Sequence, residues 1–107
     1  MTTIVMATIF ASCTVSLRTA QEPAQACLLA LRTGTLVEDP RSGLGVRDVT
    51  GEVTPVTWPF GYSTRLDFGG LALVDENGAV VAHVGDTVEL GGGGDDFWIA
   101  CGLTPLE

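Results

Sequence analysis

The sequence has few residues that bind zinc and no apolar stretch long enough to span a membrane. Its 107 residues include no lysine and one histidine, His83, and its three cysteines form no Cys-x-x-Cys pair. Because a zinc site takes several Cys or His ligands at short spacing, no recognisable zinc motif is present, and we expect no cofactor. The apolar stretch at residues 4–11 is shorter than the about 20 residues that a membrane-spanning helix needs.

Positive charge is also scarce, and it is unevenly distributed. Five arginines face thirteen acidic residues, which gives a net charge of −8. Residues 1–35 contain Arg18, Arg32 and Glu22, so the three arginines and twelve acidic residues of 36–107 give −9. A negative domain repels phosphate backbones and anionic lipid headgroups, so we expect no nucleic-acid partner. A protein or a small ligand stays open as partner, and the charge also serves solubility.

Turn signals recur about every 8 to 12 residues after Gly34, which is the spacing of an all-β sandwich or barrel. The length suits one domain with one modest core, which we place at residues 34–107. A small closed or half-closed barrel of six to eight antiparallel strands, similar to an OB barrel, is favoured because closure removes unpaired edges. A two-sheet sandwich is the alternative. The predicted strands are residues 35–38, 44–49, 53–58, 62–67, 71–75, 79–83, 87–90 and 97–101.

Three local sequences carry more detailed predictions. Pro55 cannot donate a ladder hydrogen bond, so the strand at residues 53–58 is expected at a sheet edge or at a bulge. Asn77-Gly78 lies between two apolar runs and predicts a tight hairpin. The run GGGGDD at residues 91–96 lacks the Lys and Ser/Thr of a phosphate loop, so it is interpreted as a flexible connector.

The N-terminal residues have two interpretations. Phe10-Ala11-Ser12-Cys13 resembles a lipobox, which would make residues 1–13 a truncated export or lipoprotein signal with Cys13 as the lipidation site. The protein would then contact the membrane only through the lipid on Cys13. The same apolar residues could instead form a strand of the domain. Residues 14–26 are small and polar around Pro23, and residues 14–33 are predicted to be a linker or lead-in. Within that stretch, residues 24–31 could form a short helix or a first strand.

Cys27 and Cys101 form an even pair at the two edges of the folded region if Cys13 carries a lipid. A bridge between them would close a loop of about 75 residues, and disulfides persist outside the cytosol. Export and the disulfide therefore support each other, and we expect the extracellular face of the membrane or secretion. The alternative is a cytoplasmic protein with two buried free thiols.

The aromatic turn Trp58-Pro-Phe-Gly-Tyr62 is the densest candidate for recognition. It holds three of the seven aromatic residues, placed around a proline and a glycine. Rigid aromatic side chains stack on sugars, bases or a partner's prolines, so Trp58, Phe60, Tyr62 and Arg65 are the candidate ligand-binding residues. The same turn could equally plug the end of a small barrel.

Catalytic chemistry has little support in the residues. His83 has no Ser or Cys near it in sequence, and a hydrolytic enzyme would have to combine it with Asp86 or Asp96. The sequence Asp75-Glu76-Asn77-Gly78 lacks the Glu that a calcium loop places six residues after its glycine. We therefore expect a non-catalytic domain with a binding or structural role. The alternatives are an oligosaccharide- or nucleic-acid-binding barrel that uses the Trp58–Tyr62 turn and, as a weaker one, the hydrolase.

Three motifs in a fixed order carry a family resemblance over about residues 34–94. They are Thr57-Trp-Pro-Phe-Gly-Tyr-Ser-Thr-Arg65, Leu73-Val-Asp-Glu-Asn-Gly-Ala-Val-Val-Ala82 and Val84-Gly-Asp-Thr-Val-Glu-Leu-Gly-Gly-Gly93. With their Trp-Pro-x-Gly turn and Gly-Asp-x-Val-x-Leu-Gly-Gly-Gly ending, they resemble a family of small uncharacterised actinobacterial proteins, often predicted lipoproteins. The resemblance implies bacterial export and gives no information on chemistry.

Overall fold

The described part of the chain consists of strands, turns and extended segments. A computed structural model of the protein describes residues 15–24, 26–94 and 97–106. Within them no helix is found, and so none that is long and apolar enough to cross a membrane. The expected all-β class is therefore confirmed. The strands are β1 (Ala30–Asp39), β2 (Gly43–Arg47), β3 (Val53–Thr57), β4 (Ser63–Asp67), β5 (Gly70–Val74), β6 (Val80–His83), β7 (Thr87–Gly93) and β8 (Trp98–Pro105).

Five strands close into a barrel in the order β1-β2-β3-β8-β7, and the other three form a sheet in the order β4-β5-β6. The small closed barrel that the sequence favours is confirmed, but it has five strands rather than the six to eight expected. All strand pairs were expected to be antiparallel, and this expectation was wrong for β3 and β8, which are parallel. In that pair, Val56 lies beside Trp98 and Thr57 lies beside Ile99. The chain leaves the barrel after β3 to build β4–β6 and returns through β7, which lets β8 run in the direction of β3.

The barrel is filled by side chains that point inward from alternate positions of its strands. β7 contributes Val88 and Leu90, two residues apart, as the period of a strand requires. Removing one such side chain completely from water contributes about 1.5–3 kcal/mol. The buried core cluster contains Leu36, Leu44, Val46, Val56, Trp58, Leu73, Ala82, Val88, Leu90, Trp98 and Ala100.

The three-stranded sheet packs on the barrel through Leu73 and Ala82, which belong to the core cluster. Its β5–β6 hairpin turns at Asn77-Gly78, as predicted. The Asp75 carboxylate accepts hydrogen bonds from the backbone N–H groups of Asn77 and Ala79, at 2.9 and 3.0 Å. Gly78 has a φ of 85°, a left-handed conformation that glycine adopts without steric cost.

Several strand boundaries in the structure differ from those expected from the sequence. β1 begins at Ala30, before the boundary placed at Gly34. Residues 91–93 belong to β7, so this part of the expected flexible connector is strand. Gly91 and Gly92 pair with both β1 and β8, and Gly93 pairs with β8. A glycine run keeps every backbone donor and acceptor, and neighbouring strands can therefore pair with it. Asp95 and Asp96 lie outside the described residues.

Pro55 lies inside the barrel wall rather than at a sheet edge. β3 has β2 on one side and β8 on the other, and its register with β2 is continuous through Pro55, so the expectation of an edge strand or a bulge was wrong. Pro55 itself pairs with Gly45 of β2, whereas β8 pairs with β3 only at Val56 and Thr57. The missing N–H of the proline therefore interrupts no pairing with β8.

Candidate functional site: an apolar groove beside the disulfide

The extended segment at residues 15–20 lies against the barrel and leads into the candidate site. The Arg18 N–H donates to the Ser42 carbonyl at 3.0 Å, and the Arg18 carbonyl accepts from the Trp58 N–H at 2.8 Å. The Ala20 N–H donates to the Trp58 carbonyl at 2.9 Å. These bonds attach the first part of the expected linker or lead-in to the folded domain.

Cys27 and Cys101 form a disulfide, and their Cα atoms are 5.8 Å apart. Cys101 belongs to β8, and Cys27 belongs to the stretch between Ala20 and the start of β1. The bond joins positions 74 residues apart and ties that stretch to the barrel wall. The predicted pairing is therefore confirmed. The lipidation candidate Cys13 and the signal at residues 1–13 lie outside the described residues.

A groove of about 360 Å³ lies between this disulfide, the stretch after Ala20 and the turn that follows β3. We call it the groove. Small-molecule sites begin near about 300 Å³, so the groove is large enough for a small ligand. Among the described residues that line it, Glu22 alone carries a charge. The others are apolar and include Ala24, Ala26, Leu28, Phe60, Ile99 and Cys101.

Large apolar side chains stay exposed around the groove. Leu28, Phe60 and Ile99 keep 60%, 43% and 53% of their surface accessible. Leu29 and Leu31, which follow Leu28 in the chain, are 93% and 66% exposed. A concentration of exposed apolar surface is typical of an interaction site, whereas single exposed apolar residues are ordinary.

The aromatic turn after β3 is chiefly part of the core. Trp58 is completely buried, and its Nε1–H donates to the Leu44 carbonyl at 2.9 Å. Tyr62 stacks on Trp58, with ring centroids 6.5 Å apart and ring planes 11° apart. Burial, reinforced by the charges of Asp75 and Glu76, raises the pKa of Tyr62. The prediction that Trp58 binds a ligand is therefore wrong, because its buried ring leaves no surface for a ligand.

The four predicted ligand-binding residues do not share one surface. Phe60 lines the groove, and Trp58 lies in the core. Tyr62 is half-buried against Trp58, with its ring turned to the core. Arg65 is exposed on β4 and donates at 3.4 Å to the Gly78 carbonyl of the β5–β6 turn. Of the four, Phe60 alone belongs to the groove.

His83 pairs with Asp67 at the surface rather than with the expected carboxylates. Its Nε2 lies 2.8 Å from Asp67 Oδ1, whereas Asp86 accepts a hydrogen bond from the His83 backbone N–H at 2.9 Å. Hydrogen bonds from the Gly69 N–H and from His83 hold the pKa of Asp67 below its usual range. Asp96 lies outside the described residues. Within the described ranges, no group of His, Cys, Asp and Glu is placed to hold a metal ion.

Sequence reasoning missed most of the residues that form the groove. Ala26 and Leu28 fell within the presumed linker, and Ile99 was treated only as part of a strand. One signal was available, because Leu28-Leu29 directly follows Cys27. Two leucines beside a predicted disulfide are unusual for a solvated linker, and they point to a surface next to the bridge.

Comparisons with known proteins leave the chain without a family assignment. No family model, no curated protein and no solved structure matches it. The resemblance to a family of small actinobacterial proteins therefore stays a prediction.

Proposed function

We propose that this protein is an exported, non-catalytic binding domain of the cell envelope, and that the groove is its binding site. The observation that carries the proposal is an apolar groove bordered by the exposed side chains of Leu28, Phe60 and Ile99. Ligand sites are concave and mostly apolar, with few polar groups. Exposed apolar surface around a groove is unfavourable in water, and a bound apolar group would remove part of it from solvent.

The chemistry of the groove favours a small ligand with an aliphatic or aromatic group and a neutral or cationic polar end. Its volume of about 360 Å³ is in the range of small-molecule sites, so a small molecule is favoured over a protein as the ligand. Glu22 supplies one negative charge at the lining, and the whole chain carries −8. An anionic ligand would therefore meet like charge, whereas a cationic end would meet Glu22.

Location outside the cytoplasm is supported by the Cys27–Cys101 disulfide, because such bonds persist in oxidising compartments. In the proposed mature protein, a lipid on Cys13 anchors the domain to the membrane. Mass spectrometry of the native protein tests both statements. A lipid-modified Cys13 together with a bridged Cys27 and Cys101 is expected. An intact Met1 with three free thiols in the cytoplasm would contradict the export proposal.

Titration with Nile red, a neutral apolar dye, tests the groove as a binding site. The oxidised protein should bind the dye saturably, at one site. Phe60→Ser should weaken binding about tenfold, since about 1.4 kcal/mol of lost apolar contact corresponds to that factor.

Phe68→Ser is the matched control, because Phe68 is completely exposed in the β4–β5 turn and does not line the groove. The control should bind the dye as the unchanged protein does. Equal dye affinity in the Phe60 variant and the unchanged protein would overturn the assignment of the site.

A further inference from the structure

One side of the groove is formed by a stretch that is attached to the barrel at few points. We call residues 21–24 and 26–29 the wall segment. These residues make no backbone hydrogen bond to the barrel. Such bonding ends at Ala20 and resumes where Ala30 pairs with Gly92. Between these two points, the Cys27–Cys101 disulfide is the covalent attachment.

The other contacts of the wall segment are weak. Leu28 packs over Gly93, where an added Cβ would lie 2.7 Å from Leu28 Cδ1, but more than half of the Leu28 side chain stays in water. Ala24 and Ala26 offer only methyl groups to the groove. Ordering a residue costs about 1–2 kcal/mol of backbone entropy, which contacts this exposed do not offset. The position of the wall segment therefore depends on the disulfide.

We infer that the disulfide controls the groove. In the oxidised protein the wall segment is held and the groove binds its ligand, whereas reduction releases the wall segment and removes the groove while the barrel stays folded. The inference rests on the proposed function. Among the described residues, no residue of the wall segment belongs to the core cluster, so the barrel keeps its core when the segment detaches.

Release is a thiol–disulfide exchange with a dithiol as the reductant. Cys27 is exposed and Cys101 is half-buried, so a thiolate of the dithiol attacks the Cys27 sulfur. A new S–S bond forms there, and the Cys101 sulfur leaves with the electron pair of the broken bond. The second thiolate of the dithiol then displaces Cys27. The dithiol ends as a cyclic disulfide, and both cysteine thiolates take up the protons that the dithiol gave to the solvent.

Redox state and ligand binding are coupled in both directions. If reduction weakens ligand binding by a given factor, the ligand must protect the disulfide against reduction by the same factor. Couplings between two sites are commonly about 5- to 150-fold, and we expect at least about tenfold here. This reciprocity gives a second measurement on the unchanged protein.

Nile red titrations of the oxidised protein, the dithiothreitol-reduced protein and a Cys27→Ser, Cys101→Ser double variant test the inference. Dye affinity should fall at least about tenfold in the two forms without the bridge. Leu29→Ser is the matched control, because Leu29 is almost fully exposed and does not line the groove. That variant should keep the affinity of the oxidised protein. Saturating dye should also raise the dithiol concentration needed for half-reduction by the same factor.

Hydrogen exchange on the same samples separates release of the wall segment from global unfolding. Amides of β1, β2 and β7 should keep their protection after reduction. Loss of protection throughout the barrel would overturn the inference, and so would equal dye affinity in both redox states. Failure of the oxidised protein to bind the dye would instead overturn the proposed function, and the inference with it.

Discussion

Replacing Trp58 by Phe tests whether the aromatic turn belongs to the core. The variant loses the hydrogen bond from the indole to the Leu44 carbonyl, which is about 1 kcal/mol. That carbonyl keeps the Ser42 hydroxyl as a donor at 2.7 Å and is not left unpaired. A cavity of about 40 Å³ beside the smaller ring adds about 1 kcal/mol, at about 24 cal/mol per Å³. We expect a loss of about 2 kcal/mol in the free energy of unfolding.

Urea unfolding followed by circular dichroism measures this loss, and the fluorescence of Trp98 gives a second probe. Phe68→Leu is the control, since Phe68 is completely exposed, and it should change the free energy of unfolding by less than about 0.5 kcal/mol. A ligand-contacting role for Trp58 predicts the opposite pattern, with unchanged stability and weaker dye binding. Unchanged stability of the Trp58 variant would therefore refute the assignment to the core.

Two further predictions concern the barrel. Gly34→Ala should destabilise it by about 1–3 kcal/mol in urea unfolding, because the new Cβ would collide with the Arg47 carbonyl. Gly102→Ala, where a Cβ meets open space, should change little. Hydrogen bonds from Arg41 lower the pKa of buried Asp39 in the folded protein. The contribution of Asp39 to the free energy of unfolding is therefore complete above about pH 4, and it is lost as the pH falls through the pKa of Asp39 in the folded protein. Unfolding measured against pH should show this loss, and Asp39→Asn should show less of it; equal profiles would contradict the role of the pair.

Local turn chemistry explains why much of the fold was predictable. The hairpin at Asn77-Gly78 depends on residues within a few positions of each other, so the sequence contains its full cause. The parallel contact of Thr57 with Ile99 depends instead on the path of the chain through β4–β6. No pattern near either residue encodes that path, and the pairing was therefore not foreseen.

The glycine run shows where composition misleads. Glycine is common both in flexible loops and at close approaches of two backbones. Gly92 is of the second kind, because its φ is 145° and a Cβ there would collide with the Ile99 carbonyl. The neighbouring strand explains the glycine, and a single sequence does not say which strand lies beside it.

Some features of the candidate site could be predicted from the sequence, and others depend on the path of the chain. The Cys27–Cys101 bridge followed from the pairing of cysteines, whereas the groove depends on where the chain runs between Ala20 and Ala30. Phe60 was predicted because aromatic residues are conspicuous in sequence, and Leu28 was missed because residues 14–33 were interpreted together as a linker or lead-in. Burial of Trp58 was one of two open alternatives, and only the packing of the core distinguishes them.

The most direct test of the groove is a map of amide chemical-shift changes when toluene, a neutral apolar probe, is added to the oxidised protein. The changes should concentrate on the groove and fade with distance into the β4–β6 sheet. The amides expected to respond most are those of Ala26, Leu28, Phe60, Ile99 and Cys101. Changes centred on Tyr62 and Arg65, or none at saturating toluene, would contradict the account.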